Sequence, residues 1–162
     1  DAEMDLLTIL ESNGVADMLW CLRATTQDSR RTATQLAIAF AEEVLPIFER
    51  SYPGDDRPRK AIRAARDYLD GEQVYKSDSE DALDASAGAA LDATAAAYAA
   101  ACAANAAYYA CAYPSTAVYA ANAATEAATY ATEAATYAFV AVGGDEKTLE
   151  HQAEIICEIL EG

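Results

Sequence analysis

The sequence predicts an all-α protein, and three observations lead to that class. First, 29 of the 57 residues from 85 to 141 are alanine, the residue with the highest helix propensity. Second, glycine and proline divide the remaining chain into blocks with the apolar spacing of amphipathic helices. Third, no stretch shows the strict alternation that a half-buried strand requires. We expect a single-domain bundle of about seven helices, two of them long and alanine-rich.

The first 71 residues are expected to form four N-terminal helices. Residues 2–12 form the first, which stops at Gly14, and residues 15–26 form the second. The second helix is centred on the apolar side chains of Met18, Leu19, Trp20 and Leu22. Asp28 or Ser29 is placed to cap the third, which continues to about residue 50. Asp56 is placed to cap the fourth, which has Pro58 in its first turn and Gly71 at its end.

The C-terminal part begins with a polar linker at residues 72–79. An alanine-rich helical pair is expected over residues 79–142, broken at Pro114, and Asp145 caps a last helix over residues 145–161. Alanine faces let helix axes approach closely but bury little apolar area. We therefore expect the heavier packing from residues 1–70 and from the last helix, namely Leu149, Ile155, Ile156, Ile159 and Leu160.

The net charge of −16 is unevenly distributed. Residues 1–76 hold 14 acidic and 10 basic side chains, whereas residues 77–162 hold 13 acidic ones and a single base, Lys147. Such a surface repels nucleic acid and anionic membranes and attracts basic proteins. The four cysteines form no CxxC pair, which suits free thiols in a reducing compartment. We expect a cytoplasmic protein that binds neither membranes nor, directly, nucleic acids.

The second alanine-rich helix contains a duplicated heptad, TEAATYA, at residues 125–131 and 132–138. At about 100° per residue, its tyrosines and glutamates share one stripe roughly 60° wide, with Asn122 beside it. The candidate partner-binding residues on this stripe are Tyr119, Asn122, Glu126, Tyr130, Glu133 and Tyr137. Because carboxylates are costly to bury, the stripe should face outward, and the alanines with Phe139 inward. The alternative is that the tyrosines lie over neighbouring helices with only their hydroxyl groups in water.

The last helix places Glu146, Glu150, Glu154 and Glu158 at i, i+4 spacing, which is mildly destabilising. Such a ridge is either a solvated acidic face or an imitation of a phosphate row, and Glu150, Glu154 and Glu158 join the candidate partner-binding residues. His151 is the only histidine, so neither a metal nor a cofactor is expected. No nucleophile–base pair stands out, so the chain is not expected to be an enzyme.

The fourth predicted helix carries the only basic cluster in the chain. We expect its members to form internal ion pairs with the acidic half rather than an anion site. They are Arg57, Arg59, Lys60, Arg63 and Arg66.

The segment from Asp55 to Glu72, DDRPRKAIRAARDYLDGE, resembles a recurring segment of the immunity proteins of bacterial toxin–immunity systems. Trp20, the stretch from Glu42 to Glu49 and the alanine-rich region dotted with tyrosine and asparagine fit the same layout, so the resemblance covers most of residues 15–160. It implies an all-helical cytoplasmic protein that neutralises a toxin or another effector without catalysis. The chain departs from this pattern in having no arginine among its alanines.

The function predicted first is therefore a non-catalytic inhibitor of a protein effector, most simply a toxin-immunity protein. Its acidic surface also suits a phage-type anti-defence inhibitor, such as an anti-CRISPR or a DNA mimic that acts on a nuclease or a nucleic-acid-handling complex. A third hypothesis is an alanine-rich structural or self-assembly module, in which the flat alanine faces form a homodimer.

Overall fold

The computed structural model describes residues 4–25, 29–71 and 117–162, without the side chains of residues 117–125, 127, 128 and 131. These described residues form six α-helices and one 3₁₀ turn, and they contain no strand. The helices are α1 (Leu6–Asn13), α2 (Val15–Cys21), α3 (Arg30–Ser51), α4 (Arg57–Leu69), α5 (Ala117–Ala141) and α6 (Glu146–Glu161), and the 3₁₀ turn (Leu22–Ala24) follows α2. The all-α prediction is confirmed. The linker at 72–79 and the first alanine-rich helix lie outside the described residues.

Helix α3 is central, because it packs against α4, α5 and α6. Helix α5 also contacts α2 and the 3₁₀ turn, while α1 lies against α2 and α6. The largest fully buried side chains of α3 are Phe40 and Phe48. Burying a side chain of that size contributes roughly 1.5–3 kcal/mol of stability. The described helices thus share one hydrophobic core, built largely around α3.

The contribution of α5 to this core is made by small side chains. Ala134, Ala135 and Ala138 are buried, and they join the cluster formed by the apolar residues of α2 and α3. On α6, Ile156 is fully buried, and Ile155, Ile159 and Leu160 are partly buried against the same cluster. The expectation that Leu149 packs inside is wrong, since 46% of this residue is exposed.

The capping residues predicted for the helix N-termini are confirmed only in part. Asp145 caps α6 as predicted, since its carboxylate accepts hydrogen bonds from Thr148 N at 3.0 Å and Thr148 Oγ1 at 2.9 Å. Both hydrogen bonds lower the pKa of Asp145, and the bond from the Thr148 backbone N–H has the larger effect. Asp5 caps α1 in the same way through Thr8, and its pKa is lowered for the same reason.

Ser29 and Asp56 occupy the predicted N-cap positions of α3 and α4 but make no side-chain capping hydrogen bond, and the alternative cap of α3, Asp28, lies outside the described residues. Ser29 occupies the position before α3, but its hydroxyl donates to Leu22 O at 2.6 Å and so ties the 3₁₀ turn to α3. Before α4, Asp56 makes no capping bond. Instead, Asp55 Oδ1 accepts from Arg57 N at 3.1 Å, while Asp56 forms an ion pair with Lys60.

Glycines end α4 and α5 where the sequence places them. Gly71 has φ of 78° after α4, and Gly143 and Gly144 have φ of 90° and 50° after α5. Gly144 N donates to Phe139 O at 3.0 Å, and a Cβ atom at Gly144 would lie 2.4 Å from the Phe139 ring. Only glycine therefore permits both the positive φ and the close approach to Phe139.

Helices α5 and α6 are joined by one buried polar contact that the sequence pattern did not reveal. Gln152 on α6 is 2% exposed, and its Nε2 donates to Ala135 O at 2.8 Å. The bond satisfies the buried amide nitrogen, which would otherwise be costly to remove from water. It fixes the position at which the acidic helix α6 crosses the alanine helix α5.

Candidate functional site

The outward face of α5 carries the acids of the predicted stripe. Glu126 and Glu133 are both exposed, as expected. Tyr130 and Tyr137 are instead half-buried and pack against the hydrophobic core. Glu126 and Glu133 of the stripe thus face solvent, whereas Tyr130 and Tyr137 are partly covered by the core; the binding role of the stripe stays a prediction.

The inward face of α5 is wider than the side opposite the stripe that was predicted to face inward. Ala135 and the half-buried Phe139 lie on the predicted side, but Ala134 and Ala138 are buried as well. The inward face is thus rotated toward the tyrosines, which explains their partial burial. Tyr119 and Asn122 belong to α5, but their side chains lie outside the described residues.

A second exposed feature lies where α2 meets α5. Trp20, which the apolar pattern grouped with core residues, is 56% exposed. The Arg23 guanidinium lies over its ring at 5.1 Å from the centroid and donates from Nη2 to Thr129 Oγ1 at 3.3 Å. Arg23 thereby holds the indole beside the outward face of α5 through a cation–π contact. Sequence reasoning missed this arrangement, although an arginine three residues after a tryptophan in helical sequence is a signal for it.

Thr129 lies between the two exposed glutamates on the helix surface. Residues three and four apart are neighbours on a helix, so Glu126 and Glu133 flank Thr129. The Trp20–Arg23 pair therefore reaches the acidic face of α5 at its middle. Tryptophan, tyrosine and arginine are the residues enriched at the energetic centres of protein interfaces.

The glutamate ridge of α6 is exposed along its whole length. Glu146, Glu150, Glu154 and Glu158 all face solvent. His151 lies beside the ridge, with Nε2 3.1 Å from Glu43 Oε1 on α3 and Nδ1 3.3 Å from Glu154 Oε2. His151 thus links the ridge to the central helix rather than serving as an isolated ligand.

The basic cluster of α4 is occupied by acids of its own half of the chain. Arg66 Nη2 donates to Glu42 Oε2 at 2.6 Å, which raises the pKa of Arg66, and Arg59 Nη2 lies 2.6 Å from Glu49 Oε1. Both of these partners lie on α3, and since the acidic residues between 77 and 116 lie outside the described residues, pairing with the acidic half stays a prediction. The pairing in the first half contrasts with the exposed glutamates of the second.

Metal ligands, membrane-spanning helices and free thiols were sought in the described part of the chain. There, no group of three His, Cys, Asp or Glu side chains is arranged to hold a metal ion. None of the described helices combines the length and the apolar character that a bilayer crossing requires. Cys21 and Cys157 are both free thiols of intermediate burial.

Fold and surface together define a class: a small all-α protein that packs alanines inward and leaves glutamates exposed on its last two helices. The family model described as "Imm-5 like putative immunity protein" matches residues 23–159. This match covers most of the chain, and the protein belongs to that family, as the Asp55–Glu72 segment predicted. Searches of the curated proteins and of the solved structures found no match.

Membership of an immunity-protein family indicates what kind of molecule this chain binds. It implies binding to a partner protein such as a toxin, and it favours a non-catalytic role. The surface described above supplies the residues with which such binding can be tested.

Proposed function

We propose that this protein neutralises a toxic effector protein by binding it through the outward face of α5 and the adjoining ridge of α6. The observation that carries the proposal is that Glu126 and Glu133 are exposed on a helix whose opposite face is buried alanine. The proposed partner-binding residues are Tyr119, Asn122, Glu126, Tyr130, Glu133, Tyr137, Glu150, Glu154 and Glu158.

The proposed partner carries a basic surface. Residues 117–162 contain eight acidic side chains and only one lysine, Lys147. A surface of one sign attracts a partner of the opposite sign, accelerates association and rejects acidic competitors. The half-buried Tyr130 and Tyr137 add aromatic area beside the carboxylates, at low entropic cost because the core already holds them.

Charge reversal tests this surface. The double variant Glu126→Lys with Glu133→Lys should weaken binding to the toxic effector protein on the order of tenfold or more, because it replaces attraction by repulsion. Affinity would be measured by calorimetry, and protection by co-expression with the toxin. Wild-type affinity should also fall steeply between low and high salt.

A matched control separates local from global charge. Glu11→Lys with Asp70→Lys changes the net charge by the same amount at two exposed positions, on α1 and just after α4. This control should bind almost as tightly as the wild type. Equal binding by both double variants would show that the α5 face is not the contact surface.

The α6 ridge favours a second candidate function, an inhibitor that imitates nucleic acid. Its four glutamates follow one another at i, i+4 spacing, about 6 Å along the helix axis, which is comparable with the spacing of a phosphate row. Such an inhibitor would compete with DNA for a nuclease, so excess duplex DNA should displace it. Loss of competition in Glu150→Gln with Glu154→Gln and Glu158→Gln would identify the ridge as the mimic. Toxin protection that survives this triple variant would instead assign binding to α5 alone.

A further inference from the structure

A groove of about 150 Å³ opens between α2, α5 and α6. Ala16 and Leu19 line it from α2, Thr132, Thr136 and Phe139 from α5, and Leu149 from α6. Most of this lining is apolar, and only the threonine hydroxyls and Gln152 add polar atoms. A space of this volume matches a benzene-sized group.

The groove is built into the packing of the three helices. Its floor is Ala135, whose small side chain leaves the space unfilled, and Gln152, whose amide is held at 2.8 Å from Ala135 O. Its rim includes Ala16 and Leu149, both exposed to solvent. Protein interiors otherwise pack to the density of organic crystals, so an open apolar groove with a fixed floor offers unused contact area.

The charges around the groove determine what it can accept. Glu133 follows Thr132 on the α5 side, and Glu146 and Glu150 lie beside Leu149 on the α6 side, all three exposed. An occupant whose apolar side chain fills the groove therefore meets exposed carboxylates on the α5 and α6 surfaces beside it, to which flanking positive charges are complementary.

We propose that the groove takes one aromatic or leucine side chain of the effector protein, presented between lysine or arginine residues. This inference rests on the proposed function and names the chemistry of the partner at that surface. Trp20 lies on α2 one helical turn beyond Ala16, with the Arg23 guanidinium over its ring, and is not itself a lining residue of the groove.

Trp20 also supplies the measurement, because it is the single tryptophan of the chain. The probe is a pair of 13-residue lysine–alanine peptides, roughly one protein–protein contact segment long, one with a central phenylalanine and one with a central serine. Their binding would be followed by the emission of Trp20 at high salt, which screens the shared charge attraction. The phenylalanine peptide should bind about tenfold more tightly, since it alone buries an aromatic ring.

Groove-filling variants provide the decisive comparison. Ala16→Phe and Thr136→Phe each place a ring into the groove from an exposed position, and both should abolish the preference for the phenylalanine peptide. Ser51→Phe adds the same ring at the exposed end of α3 and should preserve it. Circular dichroism melts would verify that all three variants are folded.

Two results would overturn the inference: equal binding of the two peptides by the wild type, or an unchanged preference in both groove-filling variants. Neither depends on toxin neutralisation. If the wild type failed to bind the toxic protein at all, the proposed function would fall separately.

Discussion

The hairpins α3–α4 and α5–α6 are both pairs of helices joined by short loops, yet they are stabilised by different side chains. In α3–α4, the buried residues include Phe40, Phe48 and Ile62, and the surface arginines pair with nearby acids. In α5–α6, the buried residues are mainly alanines with Ile156 and Gln152, and the glutamates stay exposed. In the first hairpin several basic side chains pair with acids of the same hairpin, whereas in the second the glutamates of the α6 ridge are exposed.

This difference separates stability from recognition. Large buried side chains provide most of the hydrophobic stabilisation, because it scales with the apolar area removed from water. Exposed ion pairs such as Arg66–Glu42 add little, so α4 is held mainly by its buried face. Helix α5 can carry acids on its outward face because the core beneath it is anchored by α3, against which it packs.

Truncating a large core side chain should have the largest effect on stability. Phe40→Ala on α3 is expected to cost about 3–5 kcal/mol, because it removes a fully buried ring from a packed core. Urea unfolding measures this change. The control Tyr52→Ala removes an aromatic that is 39% exposed and only stacks on Phe48 at 5.0 Å, so it should cost about 1 kcal/mol. Similar values for the two variants would contradict the central role of α3.

The α5–α6 hairpin, in contrast, should be destabilised by enlarging a buried side chain rather than by truncating one. Ala134→Leu is expected to cost about 1–3 kcal/mol, since its Cβ is fully buried where α5 approaches the core. Val140→Leu, at a 60% exposed position of the same helix, should change stability by less than about 0.5 kcal/mol. A stable, unperturbed Ala134→Leu protein would show that α5 is loosely packed and would remove the contrast between the hairpins.

Much of the fold could be predicted from local sequence signals. Glycines at 14, 71, 143 and 144 mark helix ends because the positive φ they adopt is strained for other residues. The cap at Asp145 is local chemistry and was also predictable. Ser29 and Asp56 stand at the predicted N-cap positions, but their missing capping bonds could not be predicted, because their observed partners, Leu22 O and the Lys60 ammonium, depend on how the chain turns and on competing ion pairs.

The candidate surface was only partly predictable, for a geometric reason. Helical periodicity gives the relative angles of Glu126, Tyr130 and Glu133 around the axis of α5. Which side of α5 faces the core, however, is set by the elements that pack against the helix. The position of α2 decided that outcome, since Arg23 reaches Thr129 while Trp20 stays outside. Likewise, no local pattern indicates that Gln152 will be buried against Ala135 O.

The buried amide of Gln152 provides a test of intermediate size for the α5–α6 junction. Gln152→Met keeps the volume but removes the bond to Ala135 O, and should cost about 0.5–1.5 kcal/mol. The loss is modest because a helix carbonyl that already accepts a backbone bond is not left unsatisfied. Gln35→Met, at a half-buried position of α3, is the matched control and should be nearly neutral. Thermal melts of both variants would decide whether the hydrogen bond or the shape of Gln152 holds α6 in place.

The smallest effect is expected at the cap of α6, where it carries a pH signature. Asp145→Ala should lower the melting temperature by a few degrees near pH 7, because Thr148 N loses its acceptor. The pKa of Asp145 lies below its ordinary value of 3.8 in the folded protein, so the carboxylate stabilises the fold above that pH. Its contribution is lost as the pH falls through 3.8 toward the lower folded pKa. The difference in melting temperature between wild type and variant should therefore be constant from pH 7 to about 5 and shrink in stronger acid.

Asp145→Asn separates the cap from its charge. Asparagine accepts the same bond from Thr148 N but does not titrate, so this variant should retain most of the stability at pH 7 without the acid-dependent part. A difference between Asp145→Ala and wild type that persists undiminished at pH 3 would show that hydrogen bonding to the ionised carboxylate is not its source.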